Sequence, residues 1–206
     1  MFITFEGIDG SGKSTQLELL QDTLVRKGFK ILATKQPGGT EIGQLIRGIL
    51  LNPDNTQIVP EAEVLLYLAD RVQHIKQIIS PALERGEVVL CDRYHDATVA
   101  YQGGGRKLNL AWQQDFEKKF VVKPDLTFWL DISVEESRKR LEIRNKDLDM
   151  DNCRLEREDA AFFNRIRAEY QRISQKETGR FITITAEGSI ESIQSQISKI
   201  VVKLLR

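Results

Sequence analysis

The sequence predicts an α/β fold, a doubly wound parallel five-stranded sheet flanked by helices. Short apolar runs rich in β-branched residues alternate along the chain with longer amphipathic segments, and this alternation implies right-handed crossovers between parallel strands. Two of the runs, VVLC and LTFWL, are apolar throughout, which is typical of strands covered on both faces. No repeat or linker divides the 206 residues, so we expect a single domain over residues 1–206.

Each strand and helix is predicted from its own hydrophobic pattern. The five predicted strands are MFITFE, FKILAT, VVLCD, LTFWLDI and RFITIT, at residues 1–6, 29–34, 88–92, 126–132 and 180–185. Apolar residues at helical spacing predict helices over 13–28, 40–51, 60–85, 134–144, 156–176 and 189–206. Gly28, the string NPDN and Gly86 are expected to end the first three of these helices.

The composition argues against two classes of partner. The chain has 30 basic and 30 acidic residues, so no general attraction for nucleic acid or an anionic membrane is expected. It contains no run of about 18 apolar residues, so we expect a soluble, unexported, cytoplasmic protein. Cys91 and Cys153 lie far apart without metal-ligand spacing, and both fit a reducing compartment, with Cys91 in the core.

A phosphate-binding motif lies near the N-terminus. GIDGSGKS, from Gly7 to Ser14, matches G-x-x-x-x-G-K-[ST] and lies between a predicted strand and a predicted helix, as a P-loop requires. Its glycines allow successive N–H groups to converge on phosphate oxygens at a helix N-terminus. We expect Lys13 to reach the β- and γ-phosphates and the Ser14 hydroxyl to take a Mg²⁺ position. The predicted nucleotide-binding residues are Gly7, Ile8, Asp9, Gly10, Ser11, Gly12, Lys13, Ser14 and Thr15.

This motif predicts a P-loop NTPase fold but leaves the reaction open. A plain glycine-rich turn is the alternative interpretation, and the flanking strand and helix argue against it. A GTPase is disfavoured because no guanine-reading NKxD segment follows a strand; the nearest string, RNKDLD, lies between two predicted helices. A nucleic-acid motor would usually be larger and carry a basic face.

The string DRY, at the carboxyl end of the strand VVLCD, supplies a second set of polar residues. Ligands of open α/β sheets bind at this end of the strands. Asp92 could hold Mg²⁺ through water, and Arg93 could bind a phosphate through two hydrogen bonds. Arg47, on the predicted helix after QPGGT, is a further phosphate-binding candidate. From the residues alone, an Asp–Arg pair stabilising a strand end and a solvated helical arginine remain alternatives.

Several blocks taken together resemble one family. FEGIDGSGKST, QPGGT followed by Arg47, YLADRVQH, DRYHDATVAYQGGGR and KPDLTFWLD occur in the order and spacing of bacterial thymidylate kinases (dTMP kinases), which are P-loop nucleoside monophosphate kinases. RLE and FFNRIRAEY continue the similarity, which extends from residue 2 to about residue 171. The resemblance implies Mg²⁺-dependent transfer of the γ-phosphoryl group of ATP to the 5′-phosphate of dTMP, giving dTDP for dTTP synthesis. It also implies a homodimer that packs through helices near residues 60–85.

The resemblance assigns the sugar and phosphate of dTMP to four residues. Asp9 corresponds to an acid that accepts a hydrogen bond from the 3′-hydroxyl, which would explain an aspartate inside a glycine-rich loop. Arg47 and Arg93 correspond to residues that bind the 5′-phosphate, and Tyr101 corresponds to a ring that crowds the 2′ position. Without the family, Tyr101 would be interpreted as a core aromatic residue.

The same resemblance assigns the base of dTMP to four further residues. Tyr67 takes the place of an aromatic ring that stacks on thymine, and Arg71 that of an arginine that binds its O4 atom. Thr98 and Gln102 resemble contacts to the edge of the base. Without the family, Tyr67 would also be interpreted as a core aromatic residue.

A charged segment, residues 145–153, lies between two predicted helices and has arginines on both sides. It resembles the mobile lid that covers ATP in this family, here at about residues 140–157. The family carries a catalytic arginine either in the P-loop or in the lid; Gly10 and Ser11 stand beside Asp9, so the resemblance implies a lid arginine. Arg144 is the first choice and Arg154 the second. The predicted catalytic residues are thus Lys13, Arg93, Arg144 and Arg154.

The sequence departs from the family pattern at a few positions. Lys35 and Gln36 stand where the family usually has arginine and glutamate, so a carboxylate is lost near the acceptor pocket. Ala97 replaces a common serine, and Cys153 replaces a frequent aspartate before Arg154. None of these changes removes a residue that the chemistry strictly needs.

The expected reaction requires no general base, because the acceptor phosphate has a second pKa of about 6 and is mostly dianionic at neutral pH. His74 and His95, the two histidines of the chain, therefore receive no role. Mg²⁺, Lys13, Arg93 and a lid arginine would supply positioning and charge stabilisation. Two alternatives stay open: a related kinase preferring dUMP or a deoxynucleoside, and a nucleotide-binding switch without transfer activity. Arg47 together with Arg93 favours an acceptor that is already phosphorylated.

Overall fold

The structure, a computed structural model, describes residues 1–148 and 153–205. Within these residues lie five strands, β1 (Phe2–Glu6), β2 (Ile31–Lys35), β3 (Val88–Asp92), β4 (Leu126–Asp131) and β5 (Phe181–Thr185). They form one parallel sheet in the order β2-β3-β1-β4-β5. The fold class predicted from the sequence is confirmed.

The helices follow the strands as expected for a doubly wound fold. Their bounds are α1 (Lys13–Arg26), α2 (Glu41–Leu51), α3 (Pro60–His74), α4 (Ser80–Glu84), α5 (His95–Thr98), α6 (Gln113–Phe120), α7 (Val134–Leu148), α8 (Ala160–Lys176) and α9 (Ile190–Leu204). Two π-helical segments, Ile75–Ile79 and Val99–Gly105, follow α3 and α5 directly. None of the helices in the described part of the chain is long and apolar enough to cross a membrane.

Several helical regions differ from the sequence prediction. The helix predicted over residues 60–85 is interrupted by the π turn before Pro81, a residue whose ring removes a helix donor. Helix α8 begins at Ala160 rather than at residue 156, because the Asp159 carboxylate caps it by accepting from Phe162 N at 2.7 Å. Helices α5 and α6 and the second π-helical segment were not predicted.

The sheet is covered on both faces, as the apolar strands predicted. Phe2, Val89 and Cys91 pack on one face with the π-helical segment after α3. Ile3 and Leu90 belong to the larger cluster on the other face, where α1, α8 and α9 pack. Because successive strand residues point to opposite faces, these neighbours separate into two clusters.

The order of the strands creates a crevice at one edge. From β1 the chain passes through α1 to β2, and from β3 it passes to β4 on the opposite side of β1. Strands β1 and β3 are adjacent, with Phe5 paired to Asp92. Connections that leave neighbouring strands in opposite directions open a ligand-binding crevice at the carboxyl ends of those strands.

Candidate active site

The loop between β1 and α1 requires glycine at several positions. Gly7, Gly10 and Gly12 have positive φ angles of 142°, 76° and 87°. A Cβ at Gly7 would lie 2.7 Å from Leu130 O, and one at Gly10 would lie 2.8 Å from Ser137 O. The α1 N-cap, Gly12, provides no side-chain hydrogen bond to the helix. The first N–H groups of α1 are therefore left to bind an anion.

Lys13 lies at the centre of this loop and is 6% exposed. Its Nζ donates to Ile8 O at 2.9 Å and to Ser11 Oγ at 3.5 Å. Burial and the nearby Arg93 lower the pKa of Lys13 to about 8. A phosphate group placed here would restore the charged form of the lysine.

Ser14 and Asp92 form the contact that joins the loop to the end of β3. The Ser14 hydroxyl donates to Asp92 Oδ2 at 2.5 Å. A hydroxyl and a carboxylate are the hard oxygen ligands that Mg²⁺ accepts, so the pair fits the predicted metal position. Over the described residues, no three or more His, Cys, Asp or Glu side chains are grouped as a metal cage. Mg²⁺ commonly binds through one or two protein groups and the phosphates of a nucleotide.

Arg93 connects the P-loop to the acceptor side of the site. Its Nη2 donates to Asp9 Oδ1 at 2.7 Å and to Tyr101 Oη at 3.0 Å, and its Nη1 donates to Gly7 O at 2.9 Å. The Tyr101 hydroxyl also donates to Asp9 Oδ2 at 3.2 Å. Burial raises the pKa of Asp9, but Arg93 and Lys13 outweigh burial and lower it to about 2. The backbone of Arg93 has a φ of 65°, so this contact is held in an unfavoured conformation.

Arg71 forms the inner wall of the acceptor side. It is 1% exposed and lies on α3. Its Nε donates to Gln36 Oε1 at 2.9 Å, and its Nη2 donates to Thr98 Oγ1 at 2.8 Å and to Tyr94 O at 3.1 Å. The guanidinium is thereby oriented by three neutral oxygens from two separate parts of the chain, residue 36 and residues 94–98.

The other predicted acceptor residues surround the same space. Arg47 donates through Nη1 to Pro37 O at 3.0 Å. Gln102 is buried and donates to Glu63 Oε1 at 2.8 Å. Burial raises the pKa of Tyr67, so its hydroxyl stays protonated. The predicted base edge is thus lined by an aromatic ring, an arginine and polar side chains.

One cavity of about 1050 Å³ holds most of the predicted site. The predicted residues that line it are Asp9, Gly10, Ser11, Gly12, Lys13, Ser14, Thr15, Arg47, Tyr67, Arg71, Asp92, Arg93, Thr98, Tyr101, Gln102 and Arg144. The lining described for this cavity does not include Gly7, Ile8 or Arg154. Lys35, Gln36, Ala97 and Cys153, the departures from the family pattern, all line it.

The two predicted lid arginines lie in different environments. Arg144 is on α7, which extends to Leu148, and its Nη2 pairs with Glu156 at 2.9 Å. Arg154 is 8% exposed and pairs with Glu63 at 2.6 Å, and its Nε donates to Leu50 O at 2.9 Å. Residues 149–152 of the predicted lid lie outside the described residues.

The sequence reasoning did not predict the contacts of two buried carboxylates, Glu63 and Glu6. Glu63 is fully buried and binds Gln102, Arg106 and Arg154. Glu6, at the end of β1, accepts from Tyr94 N and from the Tyr170 hydroxyl. Their partners are distant in the chain, so spacing carries no signal for either contact.

The P-loop, which can bind one polyphosphate, and a second subsite with Arg47, Arg71 and Arg93 line the same cavity. This arrangement is that of a nucleotide kinase of the P-loop class. A family model described as "Thymidylate kinase" matches residues 5–197. The chain therefore belongs to the thymidylate kinase family.

Individual relatives agree with this assignment. The thymidylate kinase of Exiguobacterium sp. is 44% identical over 199 residues, which cover 96% of this chain and 92% of the relative. That of Halothermothrix orenii is 46% identical over 199 residues, covering 96% and 94%. The crystal structure of thymidylate kinase from Ehrlichia chaffeensis has a TM-score of 0.78 at 30% identity, covering 98% of this chain and 97% of that one. The resemblance seen in the sequence and the predicted activity class are confirmed.

Proposed function

We propose that the chain transfers the γ-phosphoryl group of ATP to the 5′-phosphate of dTMP, giving dTDP, through the residues that surround the cavity. Family membership establishes the dTMP kinase activity, and the roles of the individual residues are the proposal. The observation that carries these roles is the bond between Arg93 and Asp9. It joins the end of β3 to the P-loop, so donor and acceptor subsites share one wall.

The donor subsite is assigned to the P-loop. The open N-terminus of α1 and the ammonium of Lys13 would hold the β- and γ-phosphates of ATP. Lys13 already bonds to backbone oxygen, so it is positioned before the nucleotide arrives. Pre-positioned charge stabilises the transition state without reorganisation.

The metal position is assigned to Ser14 and Asp92. Their side-chain oxygens lie 2.5 Å apart at the mouth of the P-loop. Ser14 and Asp92 would hold Mg²⁺, and the ion would supply neutralisation of the charge that develops on the transferred phosphoryl group. The chain itself contributes the hydroxyl and the carboxylate that orient the ion.

The acceptor subsite is assigned to the opposite wall of the cavity. Arg93 and Arg47 would bind the 5′-phosphate, and Asp9, kept ionised by Arg93, would accept from the 3′-hydroxyl. Arg71 would donate to O4 of the thymine ring, with Tyr67 stacked on its face. The phosphate of dTMP would then draw Arg93 partly away from Asp9.

No titrating histidine is needed in this scheme. The second pKa of the acceptor phosphate is about 6, so the attacking oxygen is mostly anionic at neutral pH. His74 is buried on α3, and its burial and the Arg71 guanidinium lower its pKa to about 4. Its Nε2 bonds to Thr34 Oγ1 at 2.7 Å. The histidine is therefore neutral at neutral pH.

We assign the transition-state arginine of the lid to Arg144 before Arg154. Arg144 lines the cavity, and its side chain is 41% exposed although its partner Glu156 is 7% exposed, so this pair is less enclosed than the pair of Arg154 (8%) and Glu63 (0%). Arg154 would have to give up its buried bonds to Glu63 and to Leu50 O, whereas Glu63 would keep Arg106 and Gln102 as partners. Closure of the segment over ATP would also exclude water from the transferred group.

We further propose that the chain acts as a homodimer in the cytoplasm, with ATP and dTMP as its ligands and neither nucleic acid nor membrane as a partner. Helix α2 exposes Ile42, Leu45 and Ile49 along one face, and the neighbouring α3 exposes Leu65. A second copy would bury this stripe. The chain's two cysteines form no disulfide, which fits a reducing compartment.

The test of the assignment is ADP release from Mg–ATP with dTMP, dUMP, dCMP or thymidine as the acceptor. We expect turnover with dTMP to exceed that with the other acceptors. Equal turnover with thymidine would contradict the phosphate-binding roles of Arg47 and Arg93. Release of ADP that does not depend on any acceptor would contradict a transfer function for the acceptor subsite.

A further inference from the structure

Behind the acceptor pocket, three buried side chains form a continuous bridge. Gln36 follows β2 and is 3% exposed, and Asp70 and Arg71 on α3 are 0% and 1% exposed. Gln36 Oε1 accepts from Arg71 Nε at 2.9 Å, and Gln36 Nε2 donates to Asp70 Oδ2 at 3.2 Å. Asp70 Oδ1 accepts from Gly38 N at 3.0 Å. We call this set the Asp70–Gln36–Arg71 bridge.

The bridge requires an amide at its centre. A guanidinium can only donate hydrogen bonds and an ionised carboxylate can only accept them. The side chain between Arg71 and Asp70 must therefore accept at one atom and donate at the other. A carboxylate at position 36 would bring two oxygens to about the 3.2 Å that now separates Gln36 Nε2 from Asp70 Oδ2. Two carboxylates so close cannot both ionise without a large cost.

The bridge also determines which way the guanidinium of Arg71 points. Its Nε is held by Gln36, and its Nη2 is held by Tyr94 O and Thr98 Oγ1. Asp70 supplies negative charge one side chain away from Arg71, through the hydrogen bond that it accepts from Gln36 Nε2. Burial raises the pKa of Asp70, while bonds from Gly38 N and Gln36 oppose burial. The ionised form of Asp70 thus depends on the amide of Gln36.

We propose that Gln36 is a positioning residue for the acceptor base, whose amide orients Arg71 and thereby determines affinity for a pyrimidine with a keto group at position 4. The inference rests on the proposed role of Arg71 in binding that base. A keto oxygen accepts from the guanidinium, whereas the amino group of cytosine is a donor and is rejected. Loss of the bridge should therefore weaken dTMP binding and reduce selectivity against dCMP.

An exchange of the two functional groups provides a direct test. In D70N the new amide faces Nε2 of Gln36 and breaks the bridge. In Q36E the new carboxylate faces Asp70 and breaks the bridge once the two carboxylates share no proton. In Q36E/D70N the glutamate can accept from Arg71 Nε and from the asparagine amide. The asparagine oxygen can still accept from Gly38 N. The double variant keeps the net charge and the number of hydrogen bonds.

Steady-state kinetics should show the exchange clearly. At a pH where the two carboxylates of Q36E share no proton, each single change is expected to raise the KM for dTMP about tenfold, the effect of one lost hydrogen bond to a charged group. The KM for ATP should stay within about twofold, because the P-loop is untouched. The double variant is expected to return to within about threefold of the original KM and to recover the dTMP-over-dCMP preference. A purely structural role would not change acceptor selectivity in this pattern.

A pH profile gives a second readout. In Q36E one proton shared between the carboxylates would mimic the amide, and its loss with rising pH would break the bridge again. The ratio of the KM of Q36E to that of the unaltered chain should therefore rise with pH, and the same ratio for Q36E/D70N should not. The charged or titratable groups on the elements around this pair are Lys35, Arg47, Arg71, His74, Cys91 and Asp92.

Control variants separate the bridge from the function on which it rests. Gln73→Glu adds the same charge to α3, where Gln73 bonds only to neighbouring Gln77 in the described contacts, and should change the KM for dTMP by less than about twofold. If Arg71→Met left that KM unchanged, the role of Arg71 in base binding would be wrong. If Arg71→Met raised it while Q36E and D70N acted additively in the double variant, the bridge would be overturned. Should a single variant fail to fold, the selectivity of the double variant decides: recovery supports the bridge and loss of dTMP preference contradicts it.

Discussion

The donor and acceptor sides of the cavity are built in different ways. The donor side is a contiguous segment, residues 7–15, whose shape follows from glycines in positive-φ conformations and from the helix that begins at Lys13. The acceptor side draws its residues from α2, α3, the end of β3 and the helical region after it. One side is a local backbone structure, and the other is an assembly of distant side chains.

Substitutions on the two sides should therefore act differently. A change in the P-loop should affect ATP directly, whatever the acceptor is. A change on the acceptor side should be transmitted through hydrogen bonds, as from Gln36 or Thr98 to Arg71. The contact between Arg93 and Asp9 is where the two sides meet, so substitutions there should affect both substrates.

Lys13→Met should have the largest effect. It removes the ammonium that would bind the transferred phosphate, and turnover should fall roughly 10³-fold or more, about 4 kcal/mol of transition-state stabilisation. ADP release with saturating dTMP measures this loss. Lys27→Met, at the exposed C-terminal end of the same helix, is the matched control and should leave turnover unchanged. Comparable turnover in both variants would contradict the donor-side assignment.

Arg93→Ala should rank next and should affect both sides. We expect a fall in kcat of roughly 10³-fold with a higher KM for dTMP. The variant also leaves Asp9 without its main partner, so the pKa of that carboxyl should rise from about 2. Kinetics against both substrates measure the effect. Arg85→Ala is the control, because Arg85 lies near the other end of β3 and pairs with Glu87 at the surface, and it should behave like the unaltered chain. If Arg93→Ala changed only the kinetics with ATP, the proposal that Arg93 serves both subsites would be wrong.

Thr98→Val should have a smaller effect, and the effect should be confined to the acceptor side of the cavity. Valine has the shape of threonine but cannot accept from Arg71 Nη2. The KM for dTMP should rise about tenfold, the value of a hydrogen bond to a charged group, and the KM for ATP should not change. Thr23→Val on α1 serves as the control, because among the described residues its hydroxyl bonds to Leu19 O of the same helix. An equal rise in both KM values would argue against separate sides.

Proton uptake on ATP binding should be the smallest effect. The pKa of Lys13 is lowered to about 8, so near that pH about half of the free protein lacks this proton. Bound phosphates favour the charged lysine, so ATP binding should take up to about half a proton at pH 8 and affinity should weaken above it. Titration calorimetry in buffers of different ionisation enthalpy measures the uptake. Lys27→Met should retain it, and equal uptake for the chain and for Lys13→Met would rule out Lys13 as its source.

The local parts of the fold were predictable because hydrophobic periodicity reports them. Leu17, Leu20 and Leu24 recur at helical spacing and are buried in α1 as expected. The region after β3 was not predicted, because Gly104 and Gly105 argue against a helix on propensity alone. There, a Cβ would lie 2.8 Å from Glu169 Cβ or 2.6 Å from the Phe162 ring. Close packing against α8 overrides the local preference.

The two predicted lid arginines show that the sequence does not reveal which charged side chains are buried. Nothing in the spacing of Arg154 distinguishes it from Arg144, and both stand in a polar stretch. The structure buries Arg154 against Glu63, 91 residues away, while Arg144 stays near the surface. A residue's surroundings, not its neighbours in the chain, decide whether its charge is available.

By itself the sequence determined the five strands and their alternation with the main helices, the P-loop and membership of the thymidylate kinase family. Each of these depends on residue types at short spacing within a strand, a helix or a sequence block. Such spacing can be recognised without knowing which distant residues come into contact. Only the tertiary structure decided that Arg93 bonds to Asp9 and that Gln36 bridges Asp70 and Arg71. Those contacts join residues 84, 34 and 35 positions apart. Their partners depend on which charged groups become buried together, and that depends on how the whole sheet and its helices pack.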